Sequence, residues 1–220
     1  MSLNARSLIN KTVDIEYLFL VNNPHIVAVT ETWLHDGVLD SEVTPPDYSV
    51  YRRDRGTRGG GVVFYVRKNI DAILLEKSEN IEAIWLKVNT LLGPIIICTV
   101  YRPPGADLSF LDVLSDCVND MSKRCSSFIL TGDFNLPLID WPNMRSLSSS
   151  CRDSDFLVQI AFEKNLVQLV SSPTRIQGST ENILDLLFLS QRLINNGFPV
   201  AWKRGYPITK LLLPSLTLFQ

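Results

Sequence analysis

Short apolar runs rich in β-branched residues, several of them closing on a polar side chain, limit what this chain can fold into more than any other feature. Ile26-Val27-Ala28-Val29-Thr30 runs into Glu31, Ile95 to Val100 into Tyr101, and Phe128-Ile129-Leu130 through Thr131-Gly132 into Asp133, with Asn135 two residues on. Such runs belong in buried strands, and a strand fixes the first residue beyond it at a sheet rim, where ligand sites form. Further strand-like runs lie at 25–30, 61–66, 73–75, 84–88, 166–170 and 183–189. Those from 61 to 100 read as a meander, with a turn at Leu91-Leu92-Gly93-Pro94. Helices are expected over 11–22, 110–121 and 156–165, the first presenting Val13, Tyr17, Leu18 and Val21 on one side and ending at Asn23-Pro24. The polar stretch before residue 61 reads as a loop. Hairpins mixed with helices that return to apolar strands predict a layered α/β sandwich.

Composition narrows the class. Of 220 residues, 45% are hydrophobic, 9% aromatic and 20% charged, the balance of a folded domain with a real core. Four cysteines without a C-x-x-C pair and only two histidines, His25 and His35, argue against a zinc site. Asn4 and Arg6 interrupt the start where a signal peptide would be apolar, and no run of about 18 apolar residues occurs. The expectation is an intracellular protein in a reducing compartment, without membrane contact and monomeric. Lys and Arg total 21 against 23 Asp and Glu, net −2, so any nucleic-acid footprint must be local. One stretch supplies it: Arg52, Arg53, Arg55 and Arg58, which can hold DNA phosphates or else decorate a solvated hairpin. The glycines that follow, Gly59-Gly60-Gly61, lead into a strand with no Gly-Lys-Ser/Thr, which excludes a nucleotide-binding P-loop. Trp33, Trp85 and Trp141 read as core or rim packing.

Carboxylates, an amide and a phenol at strand ends suit a hard, oxygen-liganded cation such as Mg²⁺. With one carboxylate free to take a proton from water, phosphodiester hydrolysis is the natural reaction, Tyr101 and Asn135 donating to phosphate oxygens.

These residues fall in a longer series: Leu3-Asn4-Ala5-Arg6-Ser7-Leu8, Thr30-Glu31-Thr32-Trp33-Leu34, Arg52-Arg53-Asp54-Arg55 before Gly59-Gly60-Gly61-Val62, Val100-Tyr101-Arg102-Pro103-Pro104, Gly132-Asp133-Phe134-Asn135, Pro173-Thr174-Arg175 and Ile183-Leu184-Asp185-Leu186. The series resembles the endonuclease domain of non-LTR (LINE-type) retrotransposons, of the endonuclease/exonuclease/phosphatase superfamily, over about Leu3 to Ser190. The resemblance implies a four-layer, deoxyribonuclease I-like α/β sandwich, two mixed sheets between outer helices. It implies a Mg²⁺- or Mn²⁺-dependent endonuclease that nicks DNA and leaves a 3′-hydroxyl to prime reverse transcription, beside a reverse transcriptase domain and element RNA, in the nucleus. Glu31 becomes the principal metal ligand with Asn4 beside it, Tyr101 and Asn135 contact the scissile phosphate, and Asp133 orients or deprotonates the water. Arg52, Arg53, Arg55, Arg58, Arg102 and Thr174 become DNA contacts. A non-catalytic DNA-binding remnant and a phosphatase acting on a small phosphoester are the rival readings.

Asp185 would brace a histidine from a downstream Ser-Asp-His motif, yet no histidine follows His35. The domain is therefore expected over 1–194, with a divergent tail over 195–220. Codons for Gly205 to Lys210, read from the third base of the glycine codon, can spell Leu-Ser-Asp-His-Lys. A frameshift between about Leu193 and Ala201 is one account of the tail, and alternative splicing or genuine divergence the other. Only Met1-Ser2-Leu3 precede Asn4, where the family carries a fuller first strand, so the fold is expected to be incomplete at both ends and impaired.

Overall fold

The computed structural model describes residues 1–198 and the backbone of 201–203 and 210–212. In chain order the elements are β1 (Ser2–Asn4), α1 (Thr12–Asn22), β2 (Ile26–Thr30), α2 (Asp40–Val43), β3 (Tyr48–Arg53), β4 (Val62–Arg67) and β5 (Ala72–Lys77). Then follow β6 (Glu82–Thr90), β7 (Gly93–Tyr101), α3 (Ser109–Arg124), β8 (Phe128–Asp133), β9 (Ile139–Asp140), β10 (Arg145–Ser146), α4 (Arg152–Glu163) and β11 (Leu166–Gln168). The last are β12 (Arg175–Gln177), β13 (Thr180–Asn182), β14 (Asp185–Ser190), α5 (Gln191–Asn195), β15 (Ala201–Lys203) and β16 (Lys210–Leu212).

Two sheets form the body: one in the order β1-β2-β4-β3, the other β11-β14-β8-β7-β6-β5. Ile26, Ala28, Val62, Phe64 and Val66 of the first meet Ile84, Leu86, Ile95, Ile97, Ile129, Leu187 and Leu189 of the second in the central core. On the outer face of the smaller sheet, Ile15 and Phe19 of α1 pack on Val27, Val29, Val63 and Tyr65. Leu111, Leu114 and Val118 of α3 and Leu157 and Ala161 of α4 cover Trp85, Cys98, Leu130 and Phe188 of the larger sheet. Alternate residues of each strand thus feed different layers, which is why the runs are apolar throughout: helix, sheet, sheet, helix. The expected four-layer sandwich is the observed fold.

Three readings are corrected. The meander is shorter: β4 pairs in the smaller sheet with β2 and β3, and only β5, β6 and β7 follow one another in the larger. Within the expected loop, Tyr48–Arg53 is an edge strand in register with β4; Tyr48 and Val50 pack on one core and Tyr51 on the other, with Arg52 and Arg53 half-buried at its end. Helix α1 is turned over: Ile15 and Phe19 are buried, while Val13 (75% exposed), Tyr17 (68%) and Val21 (59%) face outward. Since α1 is apolar on most sides, spacing alone does not choose its face. Its end is as expected, Asn23 adopting φ 46° and donating its N–H to the Phe19 carbonyl.

At the start of the chain, Ser2, Leu3 and Asn4 pair in parallel with Ala28, Val29 and Thr30. Leu193 and Phe198 close the central core at the other end. The out-of-frame motif expected at Gly205 to Thr209 lies outside the described residues.

Candidate active site

One rim of the sandwich collects the polar strand ends. In the larger sheet, register alone does this: Tyr101 pairs with Asp133, and Asp133 with Asp185, so the three stand side by side on β7, β8 and β14. In the smaller sheet Asn4 pairs with Thr30, and Glu31 follows directly. Two side-chain bonds join these site residues across the sheets. The Asn4 amide donates to Asp133 Oδ2 at 2.8 Å, and the Tyr101 hydroxyl donates to Glu31 Oε1 at 3.0 Å.

The backbone is strained where it delivers these groups. Glu31, Trp33 and Asn135 adopt φ of 51°, 56° and 50°, a region that non-glycine residues enter at a cost. Thr32 and Trp33 donate their N–H groups to the carbonyls of Gly61 and Gly60 at 3.3 and 3.0 Å, and the Ser7 N–H bonds the Glu31 carbonyl at 2.8 Å. Asp133 is presented by Gly132, at φ 139°, where a Cβ would lie 1.8 Å from the Val100 carbonyl oxygen. Only glycine lets β8 come so close to β7. The Asn135 N–H then bonds Asp133 Oδ1 at 3.0 Å, and its side-chain amide the Arg102 carbonyl at 2.9 Å.

The rim is short of positive charge. Asp133 is 5% exposed, and burial, then the neighbouring Asp185, push its carboxyl well above the usual range. Asp185 is raised likewise by burial, with Glu31 adding repulsion and the Thr174 hydroxyl opposing it. Burial and Glu31 raise Tyr101, which stays a donor. A buried carboxylate facing two half-buried ones is relieved by a cation. Among the described residues no three His, Cys, Asp or Glu side chains converge into a metal cage. The donors fit an ion that takes one or two carboxylate oxygens and keeps its remaining positions for water and phosphate, the habit of Mg²⁺.

The basic residues divide. Arg52 donates to Asp54 from Nε, shared between both oxygens at 3.1 and 3.2 Å, and from Nη2 at 2.5 Å, and also to Asp40 at 2.9 Å and to the carbonyls of Val38 and His35. Arg53 is spent on the carbonyls of Ser78, Glu79 and Ile81. Arg102 is 2% exposed and bonds Asp153 and the Ala106 carbonyl. In this structure these three are engaged in holding loops together. Arg55 pairs with Glu82 (2.6 Å from Nε) and lies 5.3 Å over the Tyr101 ring, and exposed Arg58 lies 5.6 Å over Trp33. Thr174 turns inward, its hydroxyl accepting from the Leu184 and Asp185 N–H groups at 3.0 Å. Sequence reasoning passed over Glu82, the anchor of the glycine loop, and read Trp33 as packing, whereas its indole N–H donates to Glu31 Oε2 at 3.0 Å. The one signal for Trp33 was its place two residues beyond Glu31.

Fold and rim together define a deoxyribonuclease I-like sandwich whose polar site opens at one end of its paired sheets. The profile of the endonuclease-reverse transcriptase family matches residues 95–208, and the chain belongs to that family. Solved structures share its fold. The endonuclease domain of TRAS1, a telomere-specific non-LTR retrotransposon, aligns at 15% identity over 92% of this chain and 89% of its own, with a TM-score of 0.67. The 3′ phosphatase NExo from Neisseria, bound to product DNA hairpin, aligns at 13% identity over 96% of both chains, with a TM-score of 0.68. The catalytic domain of Xenopus laevis APE2 gives 12% identity over 88% of this chain and 83% of its own, at 0.64. No curated protein sequence matches the chain. Among the described residues no helix is long and apolar enough to cross a membrane.

Proposed function

We propose that this chain is a divalent-metal-dependent phosphodiester hydrolase that nicks DNA and leaves a 3′-hydroxyl able to prime reverse transcription. The observation that carries the reading is the pair of cross-sheet bonds, Asn4 to Asp133 and Tyr101 to Glu31, which join both sheets in one rim of oxygen donors. Glu31, with Asn4 beside it, would hold Mg²⁺ or Mn²⁺, which when bound offsets charge on the phosphate. Asp133 takes a proton from water, and its raised affinity for protons suits it to that task. The water oxygen attacks phosphorus, the bond to the 3′ oxygen breaks, and that oxygen takes up a proton to become the 3′-hydroxyl. The Asn135 amide donates to the phosphate oxygens as charge builds there, and Tyr101 does so by turning its one O–H from Glu31 to the phosphate. Thr174 holds Asp185 in place. Arg58 and Arg55 carry the DNA backbone. Such work belongs in the nucleus and, in a parent element, beside a reverse transcriptase and its RNA.

The lack of a histidine after His35 favours a second reading, a DNA-binding chain without catalysis. An acid–base group at the phosphate is worth about 10²- to 10⁴-fold, so slow turnover is expected even if the rim is competent. We propose residues 195–220 as the divergent tail, with a shifted frame as its origin; transcript sequencing tests this. Incubation of supercoiled plasmid with the chain and Mg²⁺ tests the function. Open circles that a polymerase extends directly from the nick support it. Shifted but uncut plasmid supports the binding reading, and release of phosphate from a small phosphoester with DNA intact removes both.

A further inference from the structure

Glu31 is held at both oxygens, by Tyr101 from the facing sheet and by Trp33 from its own turn. We propose that Trp33 is a positioning residue for Glu31, its indole N–H fixing one carboxylate oxygen so that the side chain meets a divalent cation in a single orientation; this deepens the phosphodiesterase reading above and rests on it.

Packing does not account for the indole. Trp33 is half-buried and belongs to none of the three core clusters, so its ring fills no layer of the sandwich. What surrounds it is directed at orientation. Its backbone sits at φ 56° with the N–H bonded to the Gly60 carbonyl at 3.0 Å. Gly61 permits that approach, because a Cβ there would lie 2.5 Å from Thr32 Oγ1 of the same turn, and Gly60 leaves room beside it for the Arg55–Glu82 pair, which a Cβ would meet at 2.5 Å. The Arg58 guanidinium lies over the ring at 5.6 Å. A tryptophan fixed by backbone and covered on one face has little freedom, whereas a glutamate has three side-chain torsions to lose. One N–H occupies one lone pair of Oε2 and leaves the other free. Donors that orient a metal-binding carboxylate typically change metal affinity about 10- to 100-fold when removed.

The test compares the parent chain with Trp33→Phe, which keeps a ring and loses the N–H, and with Trp33→His, which restores a donor. Mn²⁺ affinity is measured by titration calorimetry, melting temperature without metal controls for folding, and the Trp33 indole ¹H–¹⁵N resonance is followed without metal in the parent and in Glu31→Ala. The expected results are Mn²⁺ binding about 10- to 100-fold weaker in Trp33→Phe at unchanged melting temperature, and partial recovery in Trp33→His. The nicking defect of Trp33→Phe should narrow at saturating Mn²⁺, and the indole resonance should move upfield in Glu31→Ala. Parent-like Mn²⁺ affinity in Trp33→Phe, or an indole resonance indifferent to Glu31→Ala, overturns the proposal. A parent chain that neither binds Mn²⁺ nor nicks DNA removes the phosphodiesterase reading instead. In that case an indole resonance that still answers to Glu31→Ala supports the contact, and one that does not removes it.

Discussion

Tyr101, Asp133 and Asp185 reach the rim on adjacent strands in register, whereas Glu31 reaches it on a left-handed turn tied to a glycine loop by two backbone bonds. The larger sheet therefore places its groups with the whole strength of a ladder buried on both faces. The smaller sheet depends on a few contacts: Asn4 on a three-residue strand, and Glu31 between Tyr101 and Trp33. Damage to the first should unfold the protein. Damage to the second should misplace a ligand and leave the fold standing.

Gly132→Ala should have the largest effect. Its Cβ would overlap the Val100 carbonyl at 1.8 Å within the ladder, so a loss on the order of 3–5 kcal/mol is expected in chemical denaturation. A variant as stable as the parent would mean that β7 and β8 can part without harm. Asp133→Asn comes next and separates fold from chemistry in the same sheet. Nicking should fall by about 10²- to 10⁴-fold. Metal-free melting should hold or rise, because burial and Asp185 already disfavour the Asp133 charge. Arg52→Ala should cost about 2–3 kcal/mol, since it strips donors from Asp54, whose side chain is 11% exposed, and it should leave DNA affinity little changed. Arg58→Ala should be the mildest: stability within about 0.5 kcal/mol, with the slope of DNA affinity against salt reduced by about one unit. A reversal of the two arginines, Arg52 governing affinity and Arg58 stability, would undo the division of the basic stretch.

The same contrast explains what could be read in advance. Strand ends were legible because a buried run must stop where a polar side chain begins, and Glu31, Tyr101 and Asp133 sit at such ends, whereas Asp185, at the start of β14, came only from the resemblance. Partners distant in sequence were not. Arg55 meets Glu82 27 residues on, and Arg102 meets Asp153 51 residues on, so of the pairs these arginines and Arg52 make, only Arg52 with Asp54, two residues apart, could be read in advance. Helix α1 hid its inner face because Val13, Tyr17, Ile15 and Phe19 are all apolar, and the choice fell to the groove beneath, where Phe19 stacks edge-on against Tyr48 and Tyr65. Strand β3 was obscured by Arg52 and Arg53 at its end, half-buried arginines whose carbonyl partners lie elsewhere in the chain.

That both sheets build one cation site is the central claim, and melting with and without Mn²⁺ across pH tests it most directly. Asp133 and Asp185 have their carboxyls raised in the folded state, so their contribution to metal-free stability is present at low pH and lost as pH rises through the raised values. A bound cation relieves that repulsion. The melting temperature of the metal-free chain should therefore fall from about pH 4 towards 8, and the gain from Mn²⁺ should grow over the same range. Glu31→Ala, on the smaller sheet, should abolish the gain, and Asp133→Asn, on the larger, should diminish it. A parent chain indifferent to Mn²⁺ at every pH, or a gain that survives Glu31→Ala intact, would contradict the account.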